Sequence, residues 1–297
     1  MDPGGRLRPP VPPSRSERST QVATQTAPPQ AATPAPRVET RTRRRTPHLW
    51  AWRLAGYIFF VGLWMLLATY VFEVYILPSP TRVLSEMWEI LGRGDFWENI
   101  YATLKHLFIG FTIAYVIGTA IGIAMGRSPY WDGFFHDYVM LALTTPGLVF
   151  ALICVMIFGL STWAPITAIV LTAFPHVTVN VVEGVRAIPR ELQDMATSYG
   201  VDRRTQLRHI ILPAVAPFLF TAVRYGFAIA WKITALTELF GGRDGVGIQI
   251  RVKFELFNMA GVLAWAFFLV TFALIMERVV LQRLERRFFR WRPKAFA

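Results

Sequence analysis

Six apolar stretches dominate this chain and fix most of what it can become. They run over about 54–75, 100–125, 138–160, 164–182, 212–239 and 259–280. A hydrocarbon core of about 30 Å takes roughly 20 helical residues to cross. In lipid each backbone N–H and C=O must be satisfied within the spanning segment, so runs of this length read as helices. The composition agrees: 54% of residues are hydrophobic and 17% charged, where a soluble domain carries about a quarter. The expected class is therefore all-α, a polytopic membrane protein with six transmembrane helices.

Charge then orients the spans. With six of them, both termini share a side with the loops at 126–137 and 183–209. That side holds 22 Lys and Arg, against 5 in the opposite loops 73–99, 161–163 and 241–258. Basic loops stay cytoplasmic, which puts both termini and the 183–209 loop in the cytoplasm. Basic ends on an apolar body suit an anionic bilayer surface rather than nucleic acid. The first fifty residues are rich in Pro, Arg, Ser and Thr. They cannot bury enough apolar surface to offset their ordering entropy, and they contain no apolar signal-peptide core. The expected division is a disordered basic tail over 1–50 and a membrane domain over 51–297.

Between the spans the chain carries readable connections. Leu77-Pro78-Ser79-Pro80 leads into an amphipathic stretch through Val83, Met87, Ile90 and Leu91, expected as a surface helix, and 248–258 reads the same way. Gly118 and Gly122 form a small-xxx-small pair that permits close helix packing. Pro146-Gly147 and Pro175 mark hinges or simple kinks. The loop Gly241-Gly242-Arg243-Asp244-Gly245-Val246-Gly247 lacks the Lys-Ser/Thr of a phosphate loop. Cys154, the one cysteine, lies in an apolar run and reads as a small buried hydrophobe.

The most patterned polar segment is Asp194 to Pro213. Leu192, Met195, Ala196 and Tyr199 stand at i, i+3, i+4 and i+7, on one face of a short helix. Pro189 suits its start and Gly200 its end. Asp202 suits the cap of a second short helix, and Pro213 and Pro217 mark the restart of the next span. The order acidic-x-Ala, three residues, Gly, nine residues, Ile-x-Leu-Pro is carried by Asp194, Ala196, Gly200, Ile210, Leu212 and Pro213. It resembles the EAA loop of the membrane subunits of binding-protein-dependent ABC importers. Asp194 stands where that family usually has Glu, and Met195 where it has Ala.

Leu77-Pro78-Ser79-Pro80, Gly126-Arg127-Ser128, the run Gly184 to Pro189 and Leu284-Glu285-Arg286-Arg287 look like the sulfonate, taurine and nitrate branch of these permeases. The resemblance covers about 54–292. It implies a permease subunit of a type I importer in the bacterial cytoplasmic membrane. It also implies cytoplasmic ATPase subunits that bind ATP and Mg, a second permease copy, simplest as a homodimer, and a periplasmic or extracellular substrate-binding protein. The chain itself would be no enzyme and bind no cofactor, and Leu192, Met195, Ala196 and Tyr199 would seat the coupling helix on the ATPase, with Gly200 as its bend.

Three ionisable residues fall in or near the fifth span: Arg224, Lys232 and Glu238. Such groups usually face a bundle interior or a water-filled path. Two cations on one face suit an anionic solute. The alternative is a structural pairing of Lys232 with Glu238 or with another helix. Lys105 and His106 are weaker candidates, with a packing role expected for His106. A secondary transporter or channel would carry inverted repeats or a filter motif, and an intramembrane enzyme an HExxH or a Ser/His/Asp set; the sequence presents none of these.

Overall fold

A computed structural model describes residues 49–288; of the tail expected over 1–50, residues 1–48 lie outside the described residues, as do the last basic ones, while Leu49 and Trp50 belong to the first helix instead. Described in chain order, α1 spans Leu49–Tyr70, α2 Pro80–Gly92, α3 Asp95–Arg127, α4 Pro129–Thr144, α5 Gly147–Phe158 and α6 Trp163–Arg186. Then follow α7 Arg190–Ser198, α8 Arg203–Gln206, a π-helical segment Leu207–Ile211, and α9 Leu212–Gly241. The described chain ends with α10 Val246–Glu255, α11 Met259–Ile275, a second π segment Met276–Leu281, and α12 Gln282–Phe288. Among the described residues five helices are long and apolar enough to cross a membrane, or six if α4 and α5 count as one span bent by 95°.

Helix α6 is the central post, with α3 on one flank and α9 on the other. Lipid tails give no hydrophobic drive to helix pairing, so contact depends on how closely backbones approach. The α3 face toward α6 is small at every fourth position: Gly110, Ala114, Gly118, Gly122 and Gly126. A Cβ at Gly118 would sit 2.7 Å from the Phe174 carbonyl, and one at Gly122 would sit 2.7 Å from Val181 Cβ. Thr178 Oγ1 also donates to the Gly118 carbonyl at 3.2 Å. The Gly118–Gly122 pair thus makes the contact its spacing permits. Leu107, Ala114, Ala168, Ile169, Ala173, Phe227 and Ala230 fill the core between the three helices.

At the other end Val83 and Ile90 of α2 bury against Phe96, Trp265 and Phe268, which makes α2 the expected surface helix, though Leu91 stays exposed. Lys253 Nζ of α10 reaches Glu86 of α2 at 2.7 Å, and Asn258 joins the same carboxylate at 3.2 Å. The Trp64 ring of α1 stacks on Phe267, and its Nε1 donates to the Pro78 carbonyl at 3.2 Å.

Three sequence expectations change. The third span is not one helix, because Pro146 has no N–H to continue α4 and the chain turns there by 95° before α5. The supposed loop 126–137 is helical: α3 runs to Arg127, and Pro129 sits in the first turn of α4, where its missing N–H is harmless. The fifth span does not restart at Pro213 or Pro217. One helix runs from Arg203 to Gly241, 39 residues or about 58 Å at helical rise. The π segment just before Pro213 widens the turn that the proline ring would otherwise crowd.

Candidate functional site

The loop from Ile188 to Pro213 is built from local rules. Helix α6 ends with Ala187 N–H donating to the Glu183 carbonyl, and Ile188 is buried beneath. Pro189 then starts α7 from an extended backbone. At the far end Gly200 takes φ +68°, while its N–H donates to the Thr197 carbonyl at 3.0 Å and that of Val201 to the Ala196 carbonyl at 2.9 Å. Those two bonds are the paired closure of a Schellman turn, which needs a left-handed residue at this place. Asp202 Oδ2 accepts from the N–H groups of Arg204 and Thr205 at 3.1 and 3.0 Å and so caps α8. Bonding from Thr205, side chain first, holds the Asp202 carboxyl below its ordinary range. Gln206 Nε2 closes back on the Val201 carbonyl at 2.8 Å.

Most of α7 is exposed, and among its polar residues stands an apolar trio. Leu192, Met195 and Tyr199 are 43%, 52% and 82% exposed. Ala196, expected beside them as part of a docking seat, is instead buried within this chain, because its small side chain lies on the inner edge of the stripe. Asp194 is exposed, and its carbonyl accepts from Ser198 Oγ. Ile210 is half-buried, and Leu212 and Pro213 are exposed, all on the helix that continues into α9. Beside the loop a cavity of about 690 Å³ opens between the ends of α3 and α6 and the start of α9, lined by residues that include Ile123, Arg127, Val185, Leu207 and Val215. At its edge Arg186 pairs with Asp132 at 2.7 Å, tying the end of α6 to the start of α4.

The three ionisable residues of α9 separate. Arg224 lies with both Nε and Nη2 at 2.7 Å from Glu277 Oε1, and Nη1 is 3.7 Å from Glu285. Lys232 is exposed two turns on, with exposed Ala228 between them, so the two cations do share a face. Glu238 does not share it and does not pair with Lys232. It is fully buried, with Oε2 accepting from Thr103 Oγ1 at 2.8 Å and from Gly247 N–H at 3.0 Å, and Oε1 lies 2.9 Å from His106 Nδ1. The physical reason is coordination: a desolvated carboxylate needs several donors, and α3 with the glycine loop supplies them. His106 has the packed role its sequence suggested. Thr103, Asn99, Gly245 and Gly247 were not singled out. The readable signal was an acidic residue nine positions before the last glycine of a Gly-rich turn.

The comparisons fit this architecture. Residues 114–290 match the family described as binding-protein-dependent transport system inner membrane component. The chain belongs to that family. The permease is 27% identical over 233 residues to the taurine transport system permease protein TauC of Escherichia coli (strain K12), covering 77% of this chain and 84% of that one. It is 24% identical over 238 residues to the formylaminopyrimidine transport permease protein ThiX of Halalkalibacterium halodurans, covering 80% and 94%. Its fold overlays a crystal structure of an amino acid ABC transporter chain with TM-score 0.54 at 21% identity, over 65% of this chain and 93% of that one. The chain is thus a multi-pass inner membrane permease subunit of an ABC importer, and membership implies an ATPase and a substrate-binding protein as partners.

Proposed function

We propose that two copies of this permease form the membrane pathway, and that α7 is the coupling helix through which cytoplasmic ATPase subunits drive it. The observation that carries this is the exposed trio Leu192, Met195 and Tyr199 on a helix held rigid by the Gly200 turn and the Asp202 cap. An apolar helix face on the basic, cytoplasmic side is what a groove-forming partner takes, and a rigid contact passes domain closure to the spans as rigid-body motion. ATP and Mg belong to the partner. Both termini are cytoplasmic, and an external binding protein delivers the solute.

The solute is a small anionic one, such as a sulfonate, taurine or nitrate, met by Lys232. Lys232 has the exposure for that role, while Arg224 contributes less because Glu277 offsets its charge. A second reading, a pyrimidine vitamin precursor, is favoured by that same offset and by the relative named for formylaminopyrimidine transport. The test is reconstitution of the permease with its ATPase and binding protein in liposomes. Vanadate-sensitive ATPase activity stimulated by loaded binding protein is expected. Solute accumulation by the permease alone, without an ATPase, refutes the reading.

A further inference from the structure

Three successive backbone amides in the 241–247 loop are all spent on side chains of α3 and of α9. Gly245 N–H donates to Asn99 Oδ1 at 3.2 Å, Val246 N–H to Thr103 Oγ1 at 2.8 Å, and Gly247 N–H to Glu238 Oε2 at 3.0 Å. Thr103 relays, accepting from Val246 while its hydroxyl donates to Glu238. His106 lies between two carboxylates, with Nδ1 at 2.9 Å from Glu238 and Nε2 at 3.5 Å from the half-exposed Asp244. Asn99, Thr103, His106 and Glu238 are all buried. The loop is moulded to the carboxylate as well. A Cβ on Gly245, which sits at φ +108°, would lie 2.5 Å from the Glu238 carboxyl, and a Cβ on Gly247 would meet Glu238 Cβ.

We infer that Glu238 is a positioning residue that locks the first turn of α10 to the outer ends of α3 and α9, so that the external face and the coupling loop move as one body. Two connections carry this. Outward, α10 is joined to α2 through Lys253 and Glu86, and this pair of helices, external in the orientation proposed above, leaves Leu84, Trp88 and Phe254 exposed. Inward, Glu238 stands near the end of the unbroken helix Arg203–Gly241, whose other end begins at the Asp202 cap beside α7. A carboxylate with three donors from two elements, in a site of low dielectric, resists displacement more than an exposed contact does. Docking of a binding protein on α2 and α10 therefore reaches α9 through the Glu238 lock. The inference rests on the orientation and partners proposed above.

Two measurements test it. In the purified permease alone, hydrogen exchange at Gly245, Val246 and Gly247 is expected to be slow in the wild type and to quicken in Glu238→Ala. Glu238→Gln keeps one oxygen for Thr103 and Gly247 and turns its amide toward His106, so it restores protection. Unchanged exchange in Glu238→Ala overturns the lock whatever the partners are. In the reconstituted importer, Glu238→Ala is expected to keep its basal ATPase rate and to lose stimulation by loaded binding protein by roughly tenfold, within the usual range of coupling between distant sites. Glu238→Gln is expected to retain stimulation. Retained stimulation in Glu238→Ala, or equal loss of basal and stimulated rates, overturns the inference. If Glu238→Ala fails to assemble, Asn99→Ala, which frees the Gly245 amide and otherwise loses only a bond to the Asp95 carbonyl one turn back in its own helix, decides by the same two readouts. A wild-type complex that no binding protein stimulates refutes the proposed partnership instead, while the exchange data still judge the lock.

Discussion

Gly200 offers the sharpest test of the coupling loop because its cost is conformational alone. An added Cβ meets nothing within 4 Å, yet the residue sits at φ +68°. A non-glycine residue in the left-handed region costs about 1–2 kcal/mol, least for Asn and most for β-branched side chains. That energy changes the population of the closed turn by a factor of about 5–30. Proline does worse, since it fixes φ near −65° and removes the N–H that bonds the Thr197 carbonyl. The assay is titration of detergent-solubilised permease with its ATPase, with membrane-fraction yield as the insertion control. Affinity is expected to fall in the order Gly, Asn, Ala, Val, Pro, with Val weaker than wild type by roughly 5–30-fold and membrane yield unchanged. Wild-type affinity in Gly200→Val refutes the idea that a rigid left-handed turn sets α7. If Asn is as damaging as Val, side-chain bulk at the contact matters instead of the backbone.

Gly122→Ala places a Cβ 2.7 Å from Val181 Cβ and 2.8 Å from the Thr178 carbonyl, about 1 Å inside comfortable carbon contact. Overpacking of this kind costs about 1–3 kcal/mol, so thermal unfolding in detergent should come several degrees earlier, while Gly56→Ala, with open space around it, is silent. Arg224→Gln leaves the Glu277 carboxylate without its partner, and because the pair is partly exposed, assembly by size-exclusion chromatography should suffer only mildly and recover in the double variant Arg224→Gln/Glu277→Gln. Uptake that stays low in the recovered double variant assigns Arg224 to the pathway as well. The depressed Asp202 carboxyl contributes its cap fully above the ordinary aspartate value and loses it only as pH falls through the lowered folded value. ATPase affinity should therefore be flat across the neutral range in the wild type, and lower at all these pH values in Asp202→Ala.

Local rules made the loop from Ile188 to Pro213 legible. Pro189, Gly200 and Asp202 act on neighbours within a few residues, so the start of α7, its left-handed end and the cap of α8 all lay in the sequence. Ala196 is buried where spacing predicts an exposed seat, because helical spacing says which residues share a stripe, not where the stripe meets the parent chain. The bend at Pro146 was visible as a break but not as an angle, since the turn depends on α5 packing back on α6 and α9 through Gly147 and Cys154. The small-residue face of α3 was half read. Gly118 and Gly122 stand out by their spacing, while Gly126 falls where the sequence predicts a loop, although Val185 of α6 fills the space beside it.

The ionisable residues of α9 show why charge in a membrane cannot be sorted from one helix. Arg224, Lys232 and Glu238 fall within fifteen residues, and spacing alone made a Lys232–Glu238 pair as reasonable as a shared path. Partners decide the matter, and they come from far away: Glu277 lies 53 positions from Arg224, and His106 lies 132 from Glu238. Each charge is settled by whichever donors or acceptors the fold brings within 3 Å, because an unpaired ion at that depth costs more than any local preference supplies. Lys232 is the residue for which no ion pair forms among the described residues, and it is exposed. Its unpaired charge therefore has to be met by water, a second copy of the chain, or the passing solute. Lys232→Gln should then lower uptake of an anionic solute while leaving assembly intact. Equal loss of both would place its partner in the second copy instead.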